Sequence, residues 1–135
     1  MELVVEGLTK AGKDVSNSKV AILGVAYKGE MNETRNSPVE RMVRELMSFG
    51  ADVVVYDPYC KESFGAERAK DVNEGVSEAD CVVMATDHKL FRELDLGRIK
   101  ALMNENPALV DGKRFVNPIE AKKQGFVYYG IGFGV

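Results

Sequence analysis

Five short apolar runs alternate along this chain with segments of helical periodicity, and that alternation constrains the fold more than any other feature. Val20-Ala21-Ile22-Leu23-Gly24-Val25 is continuous and of strand length, the pattern of a strand buried on both faces of a parallel sheet. Val53–Tyr56, Cys81–Ala85, Ala108–Val110 and Phe126–Tyr129 repeat it. Between the first two runs, Ser37-Pro38-Val39-Glu40 supplies an N-cap, a proline at the first helical position and the glutamate of a capping box. Val39, Met42, Val43, Leu46 and Phe49 then recur at helical spacing up to Gly50. Val72, Val76 and Ala79 mark a short helix, and Leu96, Ile99, Leu102 and Met103 another. Asn117-Pro118-Ile119-Glu120 opens a last one that stops at Gly125.

Strands that alternate with helices predict an α/β fold, a three-layer, Rossmann-like, doubly wound parallel sheet with right-handed crossovers. At 135 residues the chain has the size of one such domain, and its 45 % hydrophobic and 29 % charged content is ordinary for a globular protein. No apolar run reaches the ~20 residues of a membrane helix. No charged start followed by an apolar core marks a secretory signal. The net charge of −3 gives no global field for nucleic acid or an anionic membrane, so anion binding must come from a local basic cluster. The two cysteines, Cys60 and Cys81, form no CxxC and read as inert packing groups, which fits a reducing cytoplasm. Val4, Leu8 and Ala11 share one helical face before the polar break at Asp14–Ser18. Met1–Lys13 therefore reads as a helix leading into the domain rather than part of its core.

Open parallel sheets bind ligands beyond the carboxyl ends of their strands. After the first strand, Ala26-Tyr27-Lys28-Gly29-Glu30-Met31-Asn32-Glu33-Thr34-Arg35-Asn36 makes an eleven-residue connection, longer than the usual ~2–6 residues. It is neither a GxGxxG turn nor a P-loop. Phosphate would be met by the side chains of Lys28 and Arg35 rather than by a glycine-lined helix terminus. A second basic pair, Lys113 and Arg114, follows Asp111-Gly112. Four cations on one sheet edge indicate a phosphorylated ligand, with the Tyr27 ring offered to a base or sugar. The competing reading pairs Lys28 and Arg35 with Glu30 and Glu33 as solvated loop residues, and the residues alone leave both open. Asp57 stands where dinucleotide folds hold ribose, but Asp-Pro is also an ordinary turn starter, and the turn is the preferred reading. In Thr86-Asp87-His88, Asp87 is read as the cap of the short helix that follows. The lone His88, with no evident carboxylate partner, gives no case for catalysis or a metal site.

These residues together resemble the C-terminal, UDP-binding domain of the UDP-glucose/GDP-mannose dehydrogenase family. The resemblance rests on Leu23-Gly24, Tyr27-Lys28 and Arg35-Asn36-Ser37-Pro38. It continues through Gly50-Ala51, Tyr56-Asp57-Pro58, Ala79-Asp80, Thr86-Asp87-His88 with Phe91, and Asp111-Gly112, and ends at Tyr129-Gly130-Ile131-Gly132. It covers Ser18–Gly134 with the motifs in the family's order. It implies that residues 18–135 are the UDP-sugar-binding domain and that 1–17 are the end of a helix from a central domain.

The resemblance also implies roles. Tyr27, Lys28 and Lys113 match positions that contact the UDP-sugar, and Arg35 matches the arginine that reaches NAD on an N-terminal domain. Such enzymes oxidise the C6 alcohol of a nucleotide sugar to a carboxylate with NAD⁺, as dimers joined through the central helix. Met31, Glu33, Lys113 and Phe133 depart from the common pattern. The family's GxGxxG and glycine-flanked nucleophilic cysteine have no match here, so no catalytic residue is assigned and the chain by itself is expected to be inactive. Tyr27-Lys28-Gly29 and Tyr128-Tyr129-Gly130 are similar to the UDP-N-acetylhexosamine branch. The alternative is a Rossmann-like interaction module that binds no nucleotide.

Overall fold

The computed structural model describes residues 2–26 and 37–130. The apolar runs form the strands β1 (Lys19–Leu23), β2 (Asp52–Tyr56), β4 (Cys81–Met84), β5 (Ala108–Asp111) and β6 (Val127–Gly130). A further two-residue strand, β3 (Glu67–Arg68), pairs with Val54 and Val55 at the sheet edge. It has no apolar run to announce it, because both its residues are exposed. The strands are all parallel, in the order β3-β2-β1-β4-β5-β6. The winding direction therefore reverses between β1 and β4, the switch point at which such sheets open a crevice.

Alternate strand residues feed two cores. Val20, Ile22, Val53, Val55, Val83 and Val110 face one layer of helices, α1 (Glu2–Lys10) and α2 (Pro38–Ser48). Ala21, Leu23, Val82, Met84 and Leu109 face the other, formed by α3 (Val72–Val76), α4 (Lys89–Arg92), α5 (Leu96–Leu102) and α6 (Pro118–Lys123). A period of two with apolar residues on both faces is what a parallel sheet between helical layers demands. The three-layer expectation holds.

One expectation is overturned. The helix α1 is part of the core: Val4 and Leu8 are fully buried in the cluster that also holds Val20, Val39 and Tyr129. A β-carbon on its Gly7 would stand 3.3 Å from the Ala108 Cβ, so α1 lies directly on β5 and β6. Burial of Val4 and Leu8 contributes about 2 kcal/mol each. The spacing of Val4 and Leu8 shows only that an apolar stripe exists; what the stripe covers is a matter of topology.

In α2, the Ser37 hydroxyl accepts from the Val39 N–H, and Val39, Val43 and Leu46 point inward. Phe49 does not join them. It is the residue that ends the helix, past the last turn, and is 60 % exposed. Glu40, which a capping box would turn back toward Ser37, pairs with Arg44 one turn on at 3.0 Å. No helix among the described residues is long and apolar enough to cross a membrane.

Candidate functional site

All six strands run the same way, so their connections leave at one edge. There, β1, β2 and β4 are drawn together by one side chain. Asp57 follows β2 directly and is 2 % exposed. Its Oδ1 accepts from the N–H groups of Tyr59 (2.8 Å) and Cys60 (3.1 Å), closing the turn that the Asp-Pro pair predicts. Its Oδ2 faces the other way and accepts from Val25 N–H (2.9 Å), Ala26 N–H (3.3 Å) and His88 Nε2 (2.9 Å). Burial pushes the Asp57 carboxyl up, but the hydrogen bond from Val25, the bond from His88 and that from Tyr59 outweigh it and hold the group below its ordinary value. An ionised carboxylate only accepts, so His88 Nε2 carries the hydrogen in this contact.

Asp57 is thus a turn residue and something more. The reading of His88 as a histidine with no carboxylate partner is corrected: its partner lies 31 residues earlier and across the sheet. No local spacing announces such a pair. The only available signal was that Asp57 directly follows one buried apolar run and His88 stands three residues beyond another, so the two could meet if β2 and β4 flanked β1. His88 is fully buried, with the rings of Tyr59 and Phe91 packed on it at centroid distances of 4.8 and 5.4 Å.

The expectation that Asp87 caps the following helix also fails. His88 occupies the N-cap position of α4 without a side-chain cap bond, and Asp87 is paired with Arg92 at 3.1 Å. Thr86, buried beside the pair, donates its hydroxyl to the Ala26 carbonyl at 2.9 Å. The chain can pass Thr86 only because residue 24 is glycine. Gly24 has φ +105°, and a β-carbon there would stand 2.3 Å from Thr86 Oγ1.

At β5 a second aspartate does similar work. Asp111, fully buried, accepts from Lys113 N–H (3.1 Å) and Val116 N–H (2.7 Å). Tyr128 donates its hydroxyl to the same carboxylate at 3.4 Å, and burial together with the Asp111 charge pushes that phenol up to about 12. The tight turn leaves Lys113 and Arg114 exposed on the carboxyl edge, with Arg114 at φ 58°. Lys113 therefore stands on the same edge as the end of β1, two strands away through β4. Tyr27, Lys28 and Arg35 lie outside the described residues, and the placement expected for them is not part of this geometry.

The cysteines are packing groups. Cys81 is fully buried in β4 and burial pushes its thiol up to about 12, while Cys60 is 5 % exposed and gives its N–H to Asp57. Among the described residues, no three His, Cys, Asp or Glu side chains gather as a metal site. The edge also differs from a dinucleotide site. Asp57 holds the position of a ribose-binding carboxylate, yet both its oxygens are committed to the protein itself.

A parallel sheet of this order, covered by helices on both faces and with a basic turn at its carboxyl edge, defines a Rossmann-like α/β domain. Residues 21–118 match the UDP-glucose/GDP-mannose dehydrogenase family, UDP binding domain, and the chain belongs to that family. A UDP-glucose 6-dehydrogenase from Rhizobium meliloti is 37 % identical over 93 % of this chain. A UDP-N-acetyl-D-mannosamine dehydrogenase from Pyrococcus horikoshii is 36 % identical over 98 % of it. The chain spans only 30 % of the first and 29 % of the second. Among solved structures, an NDP-N-acetyl-D-galactosaminuronic acid dehydrogenase from Methanosarcina mazei Go1 superposes with a TM-score of 0.92 at 34 % identity. That alignment covers 98 % of this chain and 28 % of the larger one.

Proposed function

We propose that this chain is the C-terminal, UDP-sugar-binding domain of an NAD-dependent UDP-sugar 6-dehydrogenase, which oxidises the C6 alcohol of its substrate to the uronic acid. The observation that carries this reading is the match of residues 21–118 to the family's UDP binding domain. The exposed Lys113 at the carboxyl edge of the sheet supports it. Tyr27, Lys28 and Lys113 hold the UDP moiety, with lysine ammonium groups acting as point charges on pyrophosphate and the tyrosine ring lying against base or sugar. Arg35 reaches NAD, whose guanidinium-binding pyrophosphate is held mainly by an N-terminal domain.

The role of this chain is to bind and orient, and the hydride transfers and the nucleophilic cysteine belong to the N-terminal and central parts of a longer, cytoplasmic, homodimeric enzyme. That the cofactor is NAD bound elsewhere agrees with Asp57 being unavailable to a ribose on this domain. The relatives named UDP-N-acetyl-D-mannosamine dehydrogenase favour that sugar branch.

Isothermal titration of UDP into the chain tests the proposal. Saturable binding that weakens about tenfold in Lys28→Ala, the loss of one charge-assisted contact, is the expected result. Absence of heat, together with NMR spectra unmoved by UDP, overturns it in favour of an interaction module.

A further inference from the structure

We infer that the buried Asp57–His88 pair is a positioning device for the UDP site, fixing the course on which the chain leaves β1. This rests on the preceding reading of the residues after Ala26 as UDP ligands. Three observations carry it.

The first is the division of labour within the carboxylate. Closing the turn after β2 needs only Oδ1, and an asparagine would supply that oxygen equally well. Oδ2 is spent on Val25 N–H, Ala26 N–H and His88, at 2.9, 3.3 and 2.9 Å. None of those contacts belongs to the turn.

The second is that Ala26 is held at both its backbone groups. Its N–H goes to Asp57 and its carbonyl accepts from Thr86 Oγ1 at 2.9 Å. The peptide groups on either side of Ala26 are thereby fixed one residue before Tyr27 and two before Lys28.

The third is that the arrangement is complete. Among the described residues no buried side-chain nitrogen or oxygen lacks a partner. His88 itself is locked between the Tyr59 and Phe91 rings. A carboxylate taken wholly out of water is a costly way to end a strand unless its geometry is needed. Here it ties β2 and β4 to the start of the connection that serves the ligand. A side chain that must meet pyrophosphate gains affinity when its backbone is already in place.

The test is His88→Phe, which keeps an aromatic ring against Tyr59 and Phe91 and removes the donor to Asp57. His88→Gln restores a donor at a similar reach. Asp80→Asn, at the opposite edge of the sheet, is the control for general destabilisation. Each variant is checked by thermal melting and titrated with UDP. The Kd is expected to rise about tenfold in His88→Phe, the value of one hydrogen bond to a charged group. It is expected to return to within about threefold of the unaltered chain in His88→Gln, and to stay unchanged in Asp80→Asn whatever its melting temperature.

If the unaltered chain binds UDP and His88→Phe binds it equally well, the positioning inference is overturned while the UDP reading stands. If the unaltered chain does not bind UDP, the UDP reading fails, and with it the ligand this device would serve. Amide exchange at Val25 and Ala26 then decides what is left of the device. Exchange accelerated about tenfold in His88→Phe but not in Asp80→Asn keeps the clamp on β1, and equal exchange removes it.

Discussion

The two edges of the sheet each hold a buried or half-buried aspartate that satisfies several donors, and the two serve different ends. At the amino edge, Asp80 accepts from Lys13 Nζ, Lys19 N–H and Asn104 Nδ2, each at 2.9 Å. Those partners belong to the segments that enter β1 and β5, so the cluster fastens the start of one strand to its neighbours. At the carboxyl edge, Asp57 accepts from four backbone N–H groups and His88, all on segments that leave the sheet. Both carboxyls are held below the ordinary value: burial raises each, and hydrogen bonds outweigh it, led by Asn104 for Asp80 and by Val25 for Asp57. The chemistry is the same. What differs is which end of the strands it secures, and in a parallel sheet only the carboxyl end faces a ligand crevice.

The largest way to break the carboxyl side is steric. Gly24→Val places a β-carbon onto Thr86 from a left-handed backbone and should destabilise the chain by about 3 kcal/mol or more, read from a urea midpoint. A smaller loss follows from Asp57→Asn. Its amide must turn either a donor toward Val25 and Ala26 or one toward Tyr59 and Cys60, at a cost of about 2 kcal/mol.

Acid treats both edges alike. The native carboxyls of Asp57 and Asp80 bind protons less readily than in the unfolded chain, so the unfolded state takes up more protons and stability rises with pH. Their contribution is fully present above the ordinary carboxylate value of 3.8 and is lost as pH falls through the lowered native values. Urea unfolding between pH 7 and pH 2 should show that loss, and Asp57→Asn and Asp80→Asn should each flatten it.

Asp80→Asn itself should cost about 1 kcal/mol, since its partners at the amino edge keep access to water. An equal effect of the two asparagine variants on stability and on UDP affinity would erase the contrast between the edges. The smallest effect on stability belongs to Lys113→Ala. An exposed lysine on the Asp111 turn should change the melting free energy by less than about 0.5 kcal/mol while lowering UDP affinity severalfold.

Much of the architecture was readable from the chain. The five apolar runs appear as strands within a residue or two, and Ser37, Asn117 and the glycines at 50 and 125 end helices where their chemistry predicts. These signals are local, arising from caps, proline, glycine and apolar periodicity within a few residues. The features that eluded sequence reasoning all depend on partners far away. The burial of α1 requires knowing that it crosses to β5 and β6; β3 exists only because β2 offers it an edge; and Phe49 continues the apolar spacing of a helix that has already ended. The same holds at the candidate site. Lys113 was recognisable as an exposed cation after a strand, whereas the Asp57–His88 pair joins residues 31 positions apart.

By itself, then, the sequence determined the class of fold and the family. Periodicity, capping and motif order are properties of neighbouring residues, and they survive without three dimensions. Only the tertiary structure decided that Asp57 looks into the protein rather than toward a ribose, and that His88 is its partner. The strand order β2-β1-β4 brings two sequence-distant strand ends to either side of Val25 and Ala26. Hydrogen bonding acts over about 3 Å, whatever the distance along the chain.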